Sequence, residues 1–221
     1  MINNNPVVIR NYNTKDRSMI RRISCQTALM GESSDAFFAD DEIFADVLTL
    51  YFTDYEPESC FVAECNNRVV GYLLGAKDVL GMEKIFAKRI AQALFIKAWR
   101  RCVFFNKRNV KFLFHVFLSL VKGEFKAPAF SKDYPATLHI NIIKEYRLRG
   151  IGSKLIKAYL DYLKEQKVKG VYFATLSEKA GQFFKKQNFQ LLFQARRSYF
   201  RYLLGRNTPA FIYGILVSEF H

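Results

Sequence analysis

The chain has 221 residues, half of them hydrophobic, and carries 34 Lys and Arg against 20 Asp and Glu, a net charge of +14. That composition excludes a disordered chain, and the length suits one well-buried core, or one domain carrying an insertion, better than two full domains. The positive balance fits a partner with phosphates, whether a nucleotide-bearing cofactor, a nucleic acid or an anionic membrane, and disfavours polycationic partners.

After a polar opening stretch, PVVIRNYN reads as a first strand. A helix is expected over residues 14–30, with Thr14 or Asp16 as its cap and Met19, Ile23, Thr27 and Met30 on one face. GESSD breaks the pattern, and residues 41–52 read as a second helix with Ile43, Val47 and Leu50 inward. DYEPES is a loop. Residues 59–64 and 68–76 form two strands around Asn66-Asn67, a two-residue hairpin turn whose asparagines tolerate positive φ.

Strand alternation sends Cys60 and Cys65 to opposite faces, which argues against shared metal ligation. Cys25 and Cys102 are expected to be small buried hydrophobes within helices. His115, His139 and His221 have no ligand spacing, so no metal is expected. Nothing at the start resembles a signal peptide, which points to a reducing cytoplasm.

Residues 79–131 depart in character. Eleven Lys and Arg face only Glu83 and Glu124, and two amphipathic helices are expected, over 82–104, with Phe86, Ile90, Leu94 and Ala98 four apart, and over 109–121. Neither holds the roughly twenty uninterrupted apolar residues of a membrane span. Three arrangements fit an apolar stripe opposed by cations. The first is a helical cover packed on the domain, helping to shape an acceptor pocket. The second is a membrane-peripheral helix on an anionic lipid surface through 82–121, with Trp99 at the interface. The third, nucleic-acid binding, is the least supported, because no stacking platform or known motif stands out.

The chain then runs TLHINIIKEYRLRGIGSKLIKA: a β-branched strand, a basic turn with Gly150 and Gly152, and a helix from about Ile151. Glycines that let backbone approach a ligand, followed by a helix N-terminus, make an anion site, with Arg147, Arg149 and Lys154 around it. The dinucleotide fingerprint would need a third glycine at Leu155, and the P-loop spacing is wrong. On the strand, Thr137, His139 and Asn141 share one face, and three polar residues there need partners or a cleft. Residues 170–174, 190–203 and 209–217 read as three further strands, the last two an antiparallel pair around GRNTP.

Arg147-x-x-Gly150-x-Gly152, between its strand and helix, resembles the acyl-CoA pyrophosphate loop of the GCN5-related N-acetyltransferase (GNAT) superfamily. Ser177–Phe189, SEKAGQFFKKQNF, resembles the Asn-x-x-Ala-x-x-x-Tyr-x-x-x-Gly-Phe helix beside the CoA thiol, with Ala180, Phe184 and Phe189 in matching places. It departs from that pattern at Ser177, at Asn188 and above all at Phe184, which stands where many relatives carry a tyrosine that protonates the leaving thiolate. The element order of strand, two helices and hairpin also matches, and only 79–131 does not.

The resemblance implies a single α/β domain with a mixed, mostly antiparallel sheet flanked by helices, interrupted by the basic helical insertion at 79–131. It implies acetyl-CoA as cosubstrate, no metal, and transfer of the acetyl group to the primary amine of a small molecule by direct attack. It places the cofactor on Ile140, Asn141, Ile142, Arg147, Leu148, Arg149, Gly150, Ile151, Gly152, Ser153, Ser177 and Phe184. Amine deprotonation calls for a base near neutrality, which selects His139, directly or through water, against an equal alternative in which His139 is a satisfied core residue; Glu145 is a weaker choice. The acid is left unassigned among Tyr199, Tyr202, Ser177 and water, with departure of the thiolate without a dedicated donor as a further alternative; Tyr199 is the candidate carried forward. The competing function is a CoA-binding or membrane-associated module with little or no turnover.

Overall fold

The computed structural model describes residues 6–220, so the polar opening residues and His221 lie outside it. Seven strands form one sheet in the order β1-β2-β3-β4-β5-β7-β6: β1 Val8–Asn11, β2 Cys60–Cys65, β3 Arg68–Ala76, β4 Ala136–Ile142, β5 Gly170–Thr175, β6 Gln190–Arg197 and β7 Thr208–Leu216. Every pairing is antiparallel except β4 with β5. A parallel pair needs a crossover, and α6 (Ile151–Glu165) supplies it.

Two layers of helix cover the sheet. On one face α6 and α7 (Glu178–Lys186) pack on the largest cluster, which includes Leu73, Leu138, Ile151, Leu155, Tyr159 and Phe184. The Tyr159 hydroxyl donates to the Thr137 carbonyl at 2.8 Å and lies 3.2 Å from the Ala76 carbonyl, which ties α6 to two strands. A side chain at Gly75 would meet the Tyr159 ring at 2.2 Å, so glycine is required there for the approach. On the other face α1 (Arg17–Gln26) and α2 (Asp41–Tyr55) cover Val62, Tyr72 and Leu74.

Residues 79–131 lie on that same second side. They form α3 (Val79–Ile85), a π-turn at Phe86–Ile90, α4 (Ala91–Arg100) and α5 (Lys107–Val121). Ile90 and Leu94 pack with Tyr51 and Ala76, while Ala98 and Val103 join Leu29, Phe37, Phe38, Ile43 and Phe200 in a separate cluster.

Several local expectations are revised. The first helix stops at Gln26, and Met30 lies beyond it, exposed and at φ 52°. Its preceding 3-10 turn is capped by Asn13, whose side chain accepts from Lys15 N–H while Asp16 accepts from Asn13 N–H; Asp16 serves as the reciprocal half of a capping box. α2 extends to Tyr55 and turns Val47 outward, because Asp46 and Thr49 occupy the buried stripe instead. Asp46 is buried between Arg21 and Lys97, a polar packing that hydrophobic periodicity does not register. Cys102 is exposed in a left-handed turn at φ 55°, outside any helix. The strand expected over 190–203 ends at Arg197, and the short α8 (Arg201–Leu204) follows.

Cys60 and Cys65 do face opposite clusters, and Asn66 and Asn67 adopt φ 53° and 57° as the hairpin requires. Among the described residues no group of His, Cys, Asp and Glu could hold a metal ion, and no helix is long and apolar enough to cross a membrane.

Candidate active site

The parallel pair β4–β5 is short. Ala136 pairs with Val171 and Thr137 with Tyr172, and the ladder then stops although both strands continue. From Leu138 to Ile142, β4 stays paired on its other side, with β3, and β5 stays paired with β7 through Thr175. The two strands therefore splay, leaving a wedge whose wall is the β5-facing backbone edge of β4, including Ile140, Asn141 and Ile142. Unpaired strand amides and carbonyls accept an extended ligand as they would an added strand.

At the wide end of the wedge the chain turns through residues 143–150. Leu148 is fully exposed at φ 62°, a strained conformation for a β-carbon-bearing residue, and Gly150 at φ 74° is the residue before α6. A β-carbon on Gly150 would meet nothing within 4 Å, so open space lies against that backbone. Gly152 differs: a β-carbon there would strike Phe183 Cζ at 2.8 Å, so α6 and α7 close on each other through this glycine.

α2, α3, α5 and α7 each have a side-chain cap, from Asp40, Asp78, Asn106 and Ser177, whereas α6 has none. The first-turn amides of Ile151, Gly152 and Ser153 have no acceptor within their helix, and they sit at the positive end of a 15-residue dipole. Splayed strand, open glycine and uncapped amides together fit a long thioester with a pyrophosphate in its handle.

The cationic residues of the turn divide. Arg147 Nε donates to the Ile142 carbonyl at 2.9 Å and Nη2 to the Gly31 carbonyl at 3.3 Å, so its guanidinium braces the end of β4 against the α1–α2 connection. Arg149 lies 4.9 Å over the Tyr146 ring and is exposed. Ser177 spends its hydroxyl accepting from Ala180 N–H at 3.2 Å. Phe184 is 4 % exposed, 4.3 Å from the Phe173 ring and 5.7 Å from Phe189, a core position.

His139 and Asn141 face the α1–α2 side, as alternation requires. The Asn141 amide donates to the Tyr72 hydroxyl at 2.9 Å and reaches His139 Nε2 at 3.1 Å; with Asn141 donating, His139 carries its proton on Nδ1. The imidazole packs edge-on to Tyr72 at 5.7 Å, and burial pulls its pKa down to about 4, so the ring is neutral at physiological pH. Tyr199 lies elsewhere, stacked on Phe125 at 5.7 Å and against Phe200 at 4.5 Å, and burial pushes its phenol up to about 12. Among the described residues, no hydrogen bond or ring contact joins Tyr199 to His139.

Three groups on this face escaped the sequence reading. Tyr72 is fully buried under Asn141, and its only sequence signal was a hydroxyl inside an apolar strand opposite a polar one. Arg197 and Thr208 are direct partners across β6–β7, 8 % and 3 % exposed, and the Arg197 Nη1 and Thr208 Oγ1 atoms have no hydrogen-bond partner. Arg197 lies 4.7 Å over the Phe125 ring, and among the described residues it forms no ion pair. Register through Thr137, Tyr172 and Gly214 puts Thr208 and Arg197 on the same sheet face as His139.

The protein families described by sequence agree with this geometry. The family model "Acetyltransferase (GNAT) family" matches residues 27–189. No curated protein sequence matches the chain. The crystal structure of SsHAT is similar over 96 % of this chain and 98 % of its own, at 20 % identity and a TM-score of 0.67. Polyamine N-acetyltransferase from Drosophila melanogaster is similar over 96 % and 100 %, at 13 % identity and TM-score 0.57. The yncA protein of Salmonella typhimurium, solved with its cofactor acetyl-CoA, is similar over 96 % and 94 %, at 11 % identity and TM-score 0.56. Such identities speak for the fold alone; the family model, which spans both the splayed strands and the glycine turn, shows that the chain belongs to the acetyltransferase (GNAT) family, as an acyltransferase whose donor is acetyl-CoA.

Proposed function

We propose that the protein transfers an acetyl group from acetyl-CoA to the primary amine of a small molecule that also carries an anionic group. The observation that carries the acceptor class is the buried Arg197 guanidinium, which has no carboxylate partner on the face that also holds His139. A buried cation without a partner is costly, and an acceptor carboxylate or phosphate would offset that cost. A polycationic acceptor is disfavoured, because three acids of the early helices are already paired: Asp40 with Arg101, Glu42 with Arg21 and Lys97, and Asp46 with Arg21 and Lys97.

In this reading residues 79–131 are an insertion in one acetyltransferase domain, and Phe37, Phe112 and Phe200, with ring centroids 4.8 to 5.8 Å apart, wall the acceptor end. The turn and the first amides of α6 hold the pyrophosphate of the donor, and the β4 edge holds its extended arm. His139 accepts the amine proton on Nε2 once the Asn141 amide yields that lone pair, through water where the amine stands off. Its depressed pKa makes it a weak base that is unprotonated at physiological pH, which suits relay better than storage of a proton. Phe184 has no proton to give and Tyr199 is packed among Phe125 and Phe200, so water returns one to the thiolate.

Release of free CoA, followed across a panel of amines with and without a carboxylate or phosphate, tests the reading. Turnover confined to anionic amines, and lost in Arg197→Met while acetyl-CoA binding persists, supports it. Equal turnover of neutral and anionic amines removes the acceptor class. Tight acetyl-CoA binding without any turnover favours the module without catalysis.

A further inference from the structure

The 79–131 segment has a second surface, which the transfer chemistry does not use. Of the nineteen large hydrophobic residues that are exposed among the described residues, twelve lie between Leu80 and Phe125, about a fifth of the chain. Isolated exposed apolar residues are ordinary, but a contiguous set on one element marks a contact surface.

α5 shows why this is a surface and not scatter, because its amphipathicity is inverted. Its buried stripe carries Asn109 and Ser119 with Phe112. Asn109 Oδ1 accepts from Ala39 N–H at 2.7 Å, its amide donates to the Val103 carbonyl at 3.1 Å, and Ser119 donates to Glu124. The opposite stripe, Val110, Leu113, Phe114, Phe117, Leu120 and Val121, follows helical spacing and is 36 to 69 % exposed. The helix is thus anchored through polar groups and presents its apolar side outward. Next to its start, Trp99 and Phe105 extend the surface, 59 and 72 % exposed with ring centroids 6.1 Å apart.

Charge identifies the occupant. Residues 79–126 hold eleven Lys and Arg and two Glu, a net +9 of the chain's +14. Among the described residues only Lys97 and Arg101 of these cations form ion pairs. Lys107, Lys122 and Lys126 lie beside the apolar stripe, with Arg108 donating to the Asp35 carbonyl at 2.6 Å and Lys111 4.9 Å over the Tyr202 ring, while Glu124 is turned inward to Ser119 and to the Ser198 amide. A second copy of the chain would bring the same excess of positive charge against itself. An apolar stripe beside cations that form no ion pair with the protein's own carboxylates complements anionic headgroups over acyl chains.

We propose that α5, with the Trp99–Phe105 corner, docks on the surface of an anionic lipid bilayer, the apolar stripe inserted at the headgroup boundary and the lysines and arginines on lipid phosphates. The full-length protein would be sedimented with vesicles of phosphatidylcholine alone and with phosphatidylglycerol added, in low and high salt. Pelleting should require phosphatidylglycerol and fall at least tenfold in high salt. The double variant F114E/F117E, at two solvent-facing positions, should lose pelleting while its circular dichroism and acetyl-CoA affinity stay at wild-type levels. Lys111→Glu with Lys122→Glu should weaken binding without touching the apolar stripe. Equal pelleting of wild type and F114E/F117E, or no pelleting of the wild type on anionic vesicles, overturns the proposal. So does sedimentation equilibrium showing a wild-type dimer that F114E/F117E converts to monomer, which would make the stripe a contact between copies.

Discussion

The donor end and the acceptor end of the site are built from different materials. At the donor end the working parts are backbone: an unpaired strand edge, a turn with Leu148 and Gly150 at positive φ, and the uncapped amides of α6. At the proposed acceptor end they are side chains gathered from distant segments, with Tyr72 from β3, His139 and Asn141 from β4, Arg197 and Thr208 from the β6–β7 pair, and Phe37 and Phe112 from two helical stretches. Main-chain recognition depends on glycine placement and strand order, which one short stretch can specify. Side-chain recognition depends on which parts of the fold meet.

Substitutions can break this contrast, and the largest effect is expected where backbone geometry is changed. Gly152→Val drives a side chain into Phe183 and shifts α6 from α7. Losing two charge-assisted hydrogen bonds at about 1.5–3 kcal/mol each lowers acetyl-CoA affinity by about a hundredfold to ten-thousandfold. Calorimetry with a folded variant measures this, and an affinity within tenfold of wild type would contradict a backbone-built donor end.

Next comes Phe184→Ala, which opens a cavity among Phe173, Phe189 and Tyr213 and costs about 3–5 kcal/mol in denaturant unfolding. A loss below about 1 kcal/mol would mean that Phe184 is not a core residue.

His139→Gln is expected to lower kcat by about a hundredfold or more with little change in acetyl-CoA affinity. It also carries a pH signature. The folded pKa near 4 lies below the ordinary 6.5, so the unfolded chain binds the extra proton between those values. Stability from this group is present above pH 6.5 and is lost as pH falls toward 4, and the variant should flatten that slope. An unaltered rate and slope would leave His139 a bystander.

The smallest effect is expected at the most conspicuous charge. Arg149→Ala removes an exposed cation stacked on Tyr146 and should change acetyl-CoA affinity only a few-fold, because surface charge is screened by salt. A loss as large as that of Gly152→Val would move recognition from the main chain to side chains.

The same contrast explains what could be read in advance. The glycine turn, the hairpin at Asn66-Asn67 and the alternation of β4 are local and were legible. The role of Arg147 was not, because its guanidinium is claimed by the carbonyl of Gly31, 116 residues away. Val47 was misplaced because Asp46, neutralised by Arg21 and Lys97, displaces it from the buried stripe. Arg197 and Tyr199 looked like one continuing strand, whereas β6 ends between them. Whether the apolar face of α5 packs inward or faces out stayed open between a packed cover and a lipid surface, since spacing reveals a stripe but not which side of it meets the fold.

The central claim is that main-chain amides at residues 147–153 hold the pyrophosphate of the donor. Calorimetric titration of the wild-type protein with acetyl-CoA and with acetyl-pantetheine, which has the thioester arm but no pyrophosphate, tests it most directly. Acetyl-CoA should bind at least a hundredfold more tightly, with an advantage that shrinks as salt is added. Equal affinities for the two would contradict the account.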